Sequence, residues 1–286
     1  MAGKNERQRR QARERHRRQQ EQRVLRQQRV RRRWAIGTLA VLVAAGVGTL
    51  LLVFLPGGSA KKTSASASKS PSATPSATTV AEPAHHCSYA AATPVAKKVS
   101  LPPTAPDYTA SYQATINTNL GKLTFNLLNN KATCTVNSFV HLAQAGYFDN
   151  TQCHRLLTSG IYVLQCGDPY ATATAKLDCS STSKIGSGTP GYDFASENLT
   201  GAKYPAGTVA MANEGSATTN GSQFFIVFKD STSGLTASYT PFATVSSGLG
   251  IVQNVAKDGY SCQYAQSGGG APKKKVIIDS VTIKKA

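Results

Sequence analysis

Apolar and polar positions divide this 286-residue chain into four stretches. Residues 1–33 carry almost no apolar side chains and cannot build a core, so they are expected to form a disordered arm or a solvated helix. Residues 34–55, WAIGTLAVLVAAGVGTLLLVFL, are uncharged over 22 positions. A helix of that length spans about 33 Å, the hydrocarbon thickness of a bilayer. Residues 56–106 are rich in Ser, Ala, Thr and Pro and read as a spacer. From residue 107 to residue 286 periodicity takes over. Residues 111–118 and 122–128 alternate with period two, and Asn119-Leu120-Gly121 forms a turn between them. Val136, Phe139, Val140, Leu142 and Ala143 recur at helical spacing, and Gly146 can end that helix. Residues 224–228 predict an apolar strand, 251–256 a second short helix and 276–283 a closing strand. The pattern predicts a mainly β domain over 107–286, an antiparallel barrel with helical caps, because closure removes exposed edges.

Charge changes the picture of the first two stretches. Residues 1–33 hold 14 Lys and Arg against 3 Glu, while the rest of the chain holds 18 basic against 11 acidic residues. Most of the formal +18 therefore sits in the arm, and the domain is only mildly basic. Arg29, Arg31, Arg32 and Arg33 flank the apolar run, so the arm is expected in the cytoplasm and everything after Pro56 outside, on a single-pass anchor. A cleavable secretory signal is the alternative. The arm has no interleaved aromatics for base stacking, so contact with anionic lipid is favoured over nucleic-acid binding. All six cysteines, Cys87, Cys134, Cys153, Cys166, Cys179 and Cys262, follow the apolar run. That asymmetry fits an oxidising compartment and disulfides. Cys87 is placed to tie the end of the spacer to the domain.

Candidate chemistry is narrow. There is no Gly-x-Ser-x-Gly elbow, His-Glu-x-x-His or phosphate loop, no Cys-x-x-Cys, and no spacing that suggests a metal site. Acidic residues are scattered rather than paired.

Three runs stand out together: Cys153-His154-Arg155 leading to Leu164-Gln165-Cys166-Gly167-Asp168-Pro169; Tyr204 to Asn213, YPAGTVAMAN; and Thr219 to Ile226, TNGSQFFI. In this order and at these separations they resemble the cyclophilin family over about 112–283. The overall layout is similar to the membrane-anchored cyclophilins of actinobacteria. The resemblance implies an eight-stranded antiparallel barrel capped by two helices, and catalysis of X-Pro isomerisation on proline-containing polypeptides, with no cofactor and no metal. It places Arg155 as the donor to the prolyl nitrogen, Gln165 and Gln223 as polar partners of Arg155 or of the substrate backbone, and Phe225 as the floor of a proline pocket. Leu235 matches an aliphatic wall, and Tyr162 and Val163 match an aromatic and a methionine of the family. Met211, Ala212 and Asn213 match the edge along which an extended peptide lies, and Tyr239 stands where histidine is frequent.

The chain departs from the family at three places. Two extra residues lie between Arg155 and Gln165, residues 170–185 form an insertion carrying Cys179, and Gly234 stands where many cyclophilins have tryptophan. That indole is a major contact for cyclosporin in the family, so weak cyclosporin binding is expected. Six cysteines allow about 15 pairings; Cys179 with Cys262 is the pairing expected between the two variable loops. A non-catalytic peptide-binding module or holdase, and a structural surface protein or adhesin, are the alternatives to an enzyme.

Overall fold

The structure is a computed structural model that describes residues 86–180, 182–264 and 268–285. The arm 1–33, the apolar run 34–55 and the spacer up to residue 85 lie outside the described residues. No helix among the described residues is long and apolar enough to cross a membrane.

Among the described residues, eleven strands and two helices follow in chain order: β1 Ala90–Ala91, β2 Tyr112–Thr118, β3 Gly121–Leu127, α1 Thr133–Gln144, β4 Thr151–Gln152, β5 Arg155–Ser159, β6 Ile161–Cys166, β7 Tyr192–Asp193, β8 Thr208–Met211, β9 Phe224–Val227, β10 Pro241–Ser247, α2 Leu249–Asp258 and β11 Ile277–Lys285. Nine strands form one antiparallel sheet in the order β4-β11-β2-β3-β10-β8-β9-β6-β5. The sheet has nine strands rather than the expected eight, and no ladder among the described residues closes it. Its two edge strands are nevertheless consecutive in the chain. Gln152 ends one and Arg155 begins the other, a reach of at most about 11 Å. The sheet must therefore curl until its edges almost meet. Two residues span the seam: the Cys153 N–H donates to Val276 on the β11 side, at 2.9 Å, and the His154 N–H donates to Gln165 on the β6 side, at 3.0 Å.

Curling gives the sheet two unlike faces. On the inner face, Phe125, Val209, Phe224, Ile226 and Phe242 pack with Val136, Phe139 and Leu142 of α1 and Val252 and Val255 of α2. Phe139 lies at the centre of this packing, with ring centroids 5.3, 5.6 and 5.2 Å from Phe148, Phe224 and Phe242. A smaller cluster lies on the other face of β6, β8 and β9: Leu157, Val163, Tyr204, Ala210, Phe225 and Val227.

The expected hairpin is β2–β3, paired from Tyr112↔Leu127 to Thr118↔Gly121. Gly121 has φ 123°, a conformation that favours glycine. Helix α1 starts two residues earlier than the apolar spacing suggests, and Ala132 gives it no side-chain cap. The carboxylate of Glu197 caps it from a distance, accepting the Cys134 and Thr135 N–H groups at 3.0 and 2.7 Å. No local signal marks that cap.

The end of the expected spacer behaves differently from its composition. Residues 87–106 lie on the domain: Cys87 is bonded to Cys134, β1 pairs with β7, and Asn137 Nδ2 donates to Pro103 O at 2.7 Å. The other disulfides are Cys153–Cys166 and Cys179–Cys262, so the two variable loops are joined as expected.

Candidate active site

The site grows from strand register. Arg155 of β5 is paired with Gln165 of β6, Gln165 with Phe225 of β9, and Phe225 with Ala210 of β8. Residues separated by 10 and 60 positions thus form one row across four strands, about 14 Å wide. Opposed residues share a face, and here it is the face away from the main core.

A cavity of about 130 Å³ opens beside this row, lined by Arg155, Ile161, Val163, Gln165, Ala212, Asn213, Phe225, Leu235 and Tyr239. Its size is near the ~150 Å³ that holds one benzene-sized ring. Phe225 meets Tyr239 edge to face at 5.5 Å. The Tyr204 hydroxyl pins Tyr239, donating to its carbonyl at 2.8 Å and accepting its N–H at 3.2 Å.

The polar wall is a chain of side-chain bonds. Arg155 Nε donates to Gly268 O at 2.9 Å and Nη1 donates to Gln165 Oε1 at 3.1 Å. Gln165 Nε2 donates to Gln223 Oε1 at 3.0 Å, and Gln223 Nε2 donates to Gly186 O and Gly188 O at 3.1 and 3.2 Å. The guanidinium is thereby fixed in orientation. Burial lowers its pKa from the usual arginine value, and the neighbouring Tyr239 and Tyr264 act in the opposite sense.

Local chemistry explains the motifs. Asn220 Nδ2 holds Phe194 O and Ser196 Oγ, each at 3.0 Å, and Ser222 Oγ donates to Gly167 O at 2.8 Å. A Cβ on Gly167 would come within 2.4 Å of Ser222 O, so these two runs touch only because residue 167 is glycine. Asp168 accepts the N–H groups of Tyr170 and Gly186, closing the 170–185 insertion at its base. The insertion lines neither this cavity nor a second, smaller one of about 70 Å³. Gln165, Gly186, Gly188, Asp193, Ala212, Asn213, Glu214 and Gln223 line that second cavity. Burial, and then the charge of Glu214, raises the Asp193 pKa.

Eight of the expected residues line the first cavity: Arg155, Gln165, Phe225, Val163, Ala212, Asn213, Leu235 and Tyr239. Gln223 lines the second and reaches the first through Gln165. Tyr162 and Met211 line neither. Adjacent strand residues point to opposite faces, so Tyr162 cannot share the pocket with Val163, nor Met211 with Ala212. Tyr162 packs on Phe228 and under Lys229, and Met211 is buried in the main core. Ile161 takes the wall position instead, and counting back from Gln165 in steps of two finds it. The Ala212 N–H is engaged by Gln223 O at 2.9 Å.

The two extra residues are absorbed at the hairpin tip. Register runs unbroken from Arg155↔Gln165 to Ser159↔Ile161, with Gly160 at the turn. An even insertion lengthens the ladder by one pair and keeps every side chain on its face. The tip lies against Gly234, where a Cβ would come within 2.4 Å of Gly160 O. The loop residues Gly268 and Tyr264 carry no motif that the sequence reading singled out.

The family model described as "Cyclophilin type peptidyl-prolyl cis-trans isomerase/CLD" matches residues 113–283. A Mycobacterium leprae protein named "Probable peptidyl-prolyl cis-trans isomerase B" is 40% identical over 217 residues, covering 69% of this chain and 66% of the relative. Its Mycobacterium tuberculosis namesake is 41% identical over 205 residues, covering 65% and 60%. The chain thus spans just under two thirds of the length of these relatives. The crystal structure of a Cryptosporidium parvum cyclophilin type isomerase covers 61% of this chain and 98% of its own, at 26% identity and a TM-score of 0.49.

His154, next to Arg155, is 1% exposed, and neither ring nitrogen has a hydrogen-bond partner among the described residues. Burial, with the Arg155 charge adding to it, pushes its pKa down to about 3. The unfolded chain therefore binds a proton, near pH 6.5, that the fold refuses. Stability should be full above about pH 7 and fall as pH drops from about 6.5 towards 3. Denaturant unfolding across that range should show the slope, and His154→Gln should flatten it. An unchanged slope in the variant would assign the acid sensitivity elsewhere.

Proposed function

This chain belongs to the cyclophilin-type peptidyl-prolyl cis-trans isomerases, and we propose that it accelerates X-Pro bond rotation, with Arg155 as the catalytic donor. The observation that carries this reading is a guanidinium held at one wall of a ring-sized cavity whose other walls include Phe225, Val163, Leu235 and Ile161. Rotation about a peptide bond faces a barrier of about 18–20 kcal/mol because the nitrogen lone pair is delocalised. In the twisted state that lone pair is localised and basic. A donor that bonds the prolyl nitrogen only then lowers the barrier by differential binding. Phe225, Val163, Leu235 and Ile161 seat the pyrrolidine ring, and Tyr239 closes the rim. An extended peptide lies along Ala212 and Asn213, in the manner of strand addition. Arginine suits the task because a guanidinium keeps its charge in a buried site and presents a rigid fork of donors. The chemistry uses no covalent intermediate, cofactor or metal.

The substrates we assign are secreted or cell-envelope proteins. The apolar run 34–55 acts as an uncleaved single-pass anchor, and the arm 1–33 stays in the cytoplasm. Supporting this are the basic flank of the run and six cysteines, all after it, joined in three disulfides. Protease added to intact cells should digest the spacer and release the domain. Protection of the domain until lysis would refute the topology.

With the full chain and an X-Pro tetrapeptide, Arg155→Ala should lower kcat/KM by about 10²-fold or more, mostly through kcat. Phe225→Ala should raise KM about tenfold by emptying the pocket floor. Background rates in both wild type and Arg155→Ala would sink the enzyme reading, and equal activity would displace Arg155. Cyclosporin should bind more weakly than about 1 μM, since Gly160 occupies the space a side chain at residue 234 needs. A submicromolar dissociation constant in a calorimetric titration would contradict that.

A further inference from the structure

The polar chain through Arg155 starts and ends on two loops outside the strands of the curled sheet. One end is Gly268 O, which accepts from Arg155 Nε, and the other is Gly186 O and Gly188 O, which accept from Gln223. These two loops are the ones that Cys179 and Cys262 join covalently. The relay Gly268–Arg155–Gln165–Gln223–Gly186 is therefore the inner half of a ring, and the disulfide completes the outer half.

The loop carrying Cys262 is seated tightly on the strand that carries Arg155. Among the described residues β5 is an edge strand, with β6 as its one strand neighbour in the sheet. The loop covers its open side: Leu156 and Gly270 exchange N–H···O bonds at 2.8 and 3.0 Å, and the Tyr264 hydroxyl donates to His154 O at 3.1 Å. Close approach requires glycine, since a Cβ at 269 would come within 2.4 Å of Leu156 O and one at 270 within 1.6 Å of Cys262 O. Cys262 is thus packed directly behind the residue that pairs with β5. Asp168 pins both ends of the opposite loop, at Tyr170 and Gly186.

We infer that the Cys179–Cys262 disulfide is a positioning device for Arg155, holding its guanidinium in register with Gln165 by fixing both loops on which the polar relay is anchored. An edge strand frays more readily than a central one, and a guanidinium has long, rotatable reach. Three backbone carbonyls on tethered loops remove that freedom, Gly268 O directly and Gly186 O and Gly188 O through Gln223 and Gln165. Cys179, Cys262 and Tyr264 act through Arg155 and touch no substrate. The inference rests on Arg155 being the catalytic donor proposed above.

The test uses the full chain in detergent micelles, with the double variant Cys179→Ser/Cys262→Ser beside Tyr264→Phe. Two readouts are taken: kcat and KM on an X-Pro tetrapeptide, and exchange protection of the Arg155 Nε–H signal in ¹H–¹⁵N spectra, assigned by its loss in Arg155→Lys. The double variant should lose roughly tenfold in kcat with little change in KM, because misplacing a catalytic group costs rate rather than ground-state binding. Its Nε–H protection should fall with it. Tyr264→Phe, which keeps the disulfide, should move both readouts the same way by a smaller factor. Unchanged protection in the folded double variant would overturn the inference, as would a fall in kcat with protection intact. If the double variant does not fold, Tyr264→Phe decides on the same two readouts. An inactive wild type would instead strike at the proposed function, and the protection measurement would still judge the positioning role.

Discussion

One register governs this domain: Arg155 opposite Gln165, Gln165 opposite Phe225, Phe225 opposite Ala210. It places a charge, an amide and an aromatic ring side by side on one face of four strands. A slip of one residue in any of the three pairings would turn that strand's contribution into the main core and bring core residues out. The pairing is well specified because both faces are buried. Phe224 and Ile226 are committed to the inner cluster, so Phe225 and Val227 have only the outer face left. The aromatic packing around Phe139 and the long-range cap from Glu197 hold α1 against that inner cluster. Their effect on the site is indirect but definite: they fix which side of β9 points inward.

The elements with a clear period were legible. The β2–β3 hairpin, both helices and the last strand lie within about two residues of where alternation or helical spacing puts them, the usual scatter of element ends. The joint motif named Arg155, Gln165 and Phe225, and the fold brings these three to one cavity. Tyr162 and Met211 lie off that cavity because motif matching ignores parity, whereas a strand enforces it. The ninth strand was not legible because Thr151–Gln152 is too short to show a period. The packed course of residues 87–106 was hidden by their composition, although Cys87 hinted at it. The cap from Glu197 and the Gly268 carbonyl join positions 62 or more residues apart, and such pairings leave no local trace.

The site also combines demands that usually conflict. Apolar walls suit a prolyl ring but penalise a charge placed beside them. A backbone carbonyl and a side-chain amide hydrogen-bond the Arg155 guanidinium and orient it. Neutral acceptors of this kind orient a charge without cancelling it. Asp193 and Glu214 line the second cavity, which does not include Arg155.

The departures from the family pattern obey the same constraint. The additions near the row either preserve parity or stay off its face. The two residues between Arg155 and Gln165 lengthen a hairpin by one pair at its tip, and the glycine at 234 makes room for that tip. The 170–185 insertion leaves the sheet after β6 and is closed at its base by Asp168, so its length is not transmitted to Gln165. An odd insertion inside β5 or β6 would instead rotate Arg155 or Gln165 off the shared face. Loop length can therefore vary widely here, while spacing within the four strands of the row cannot.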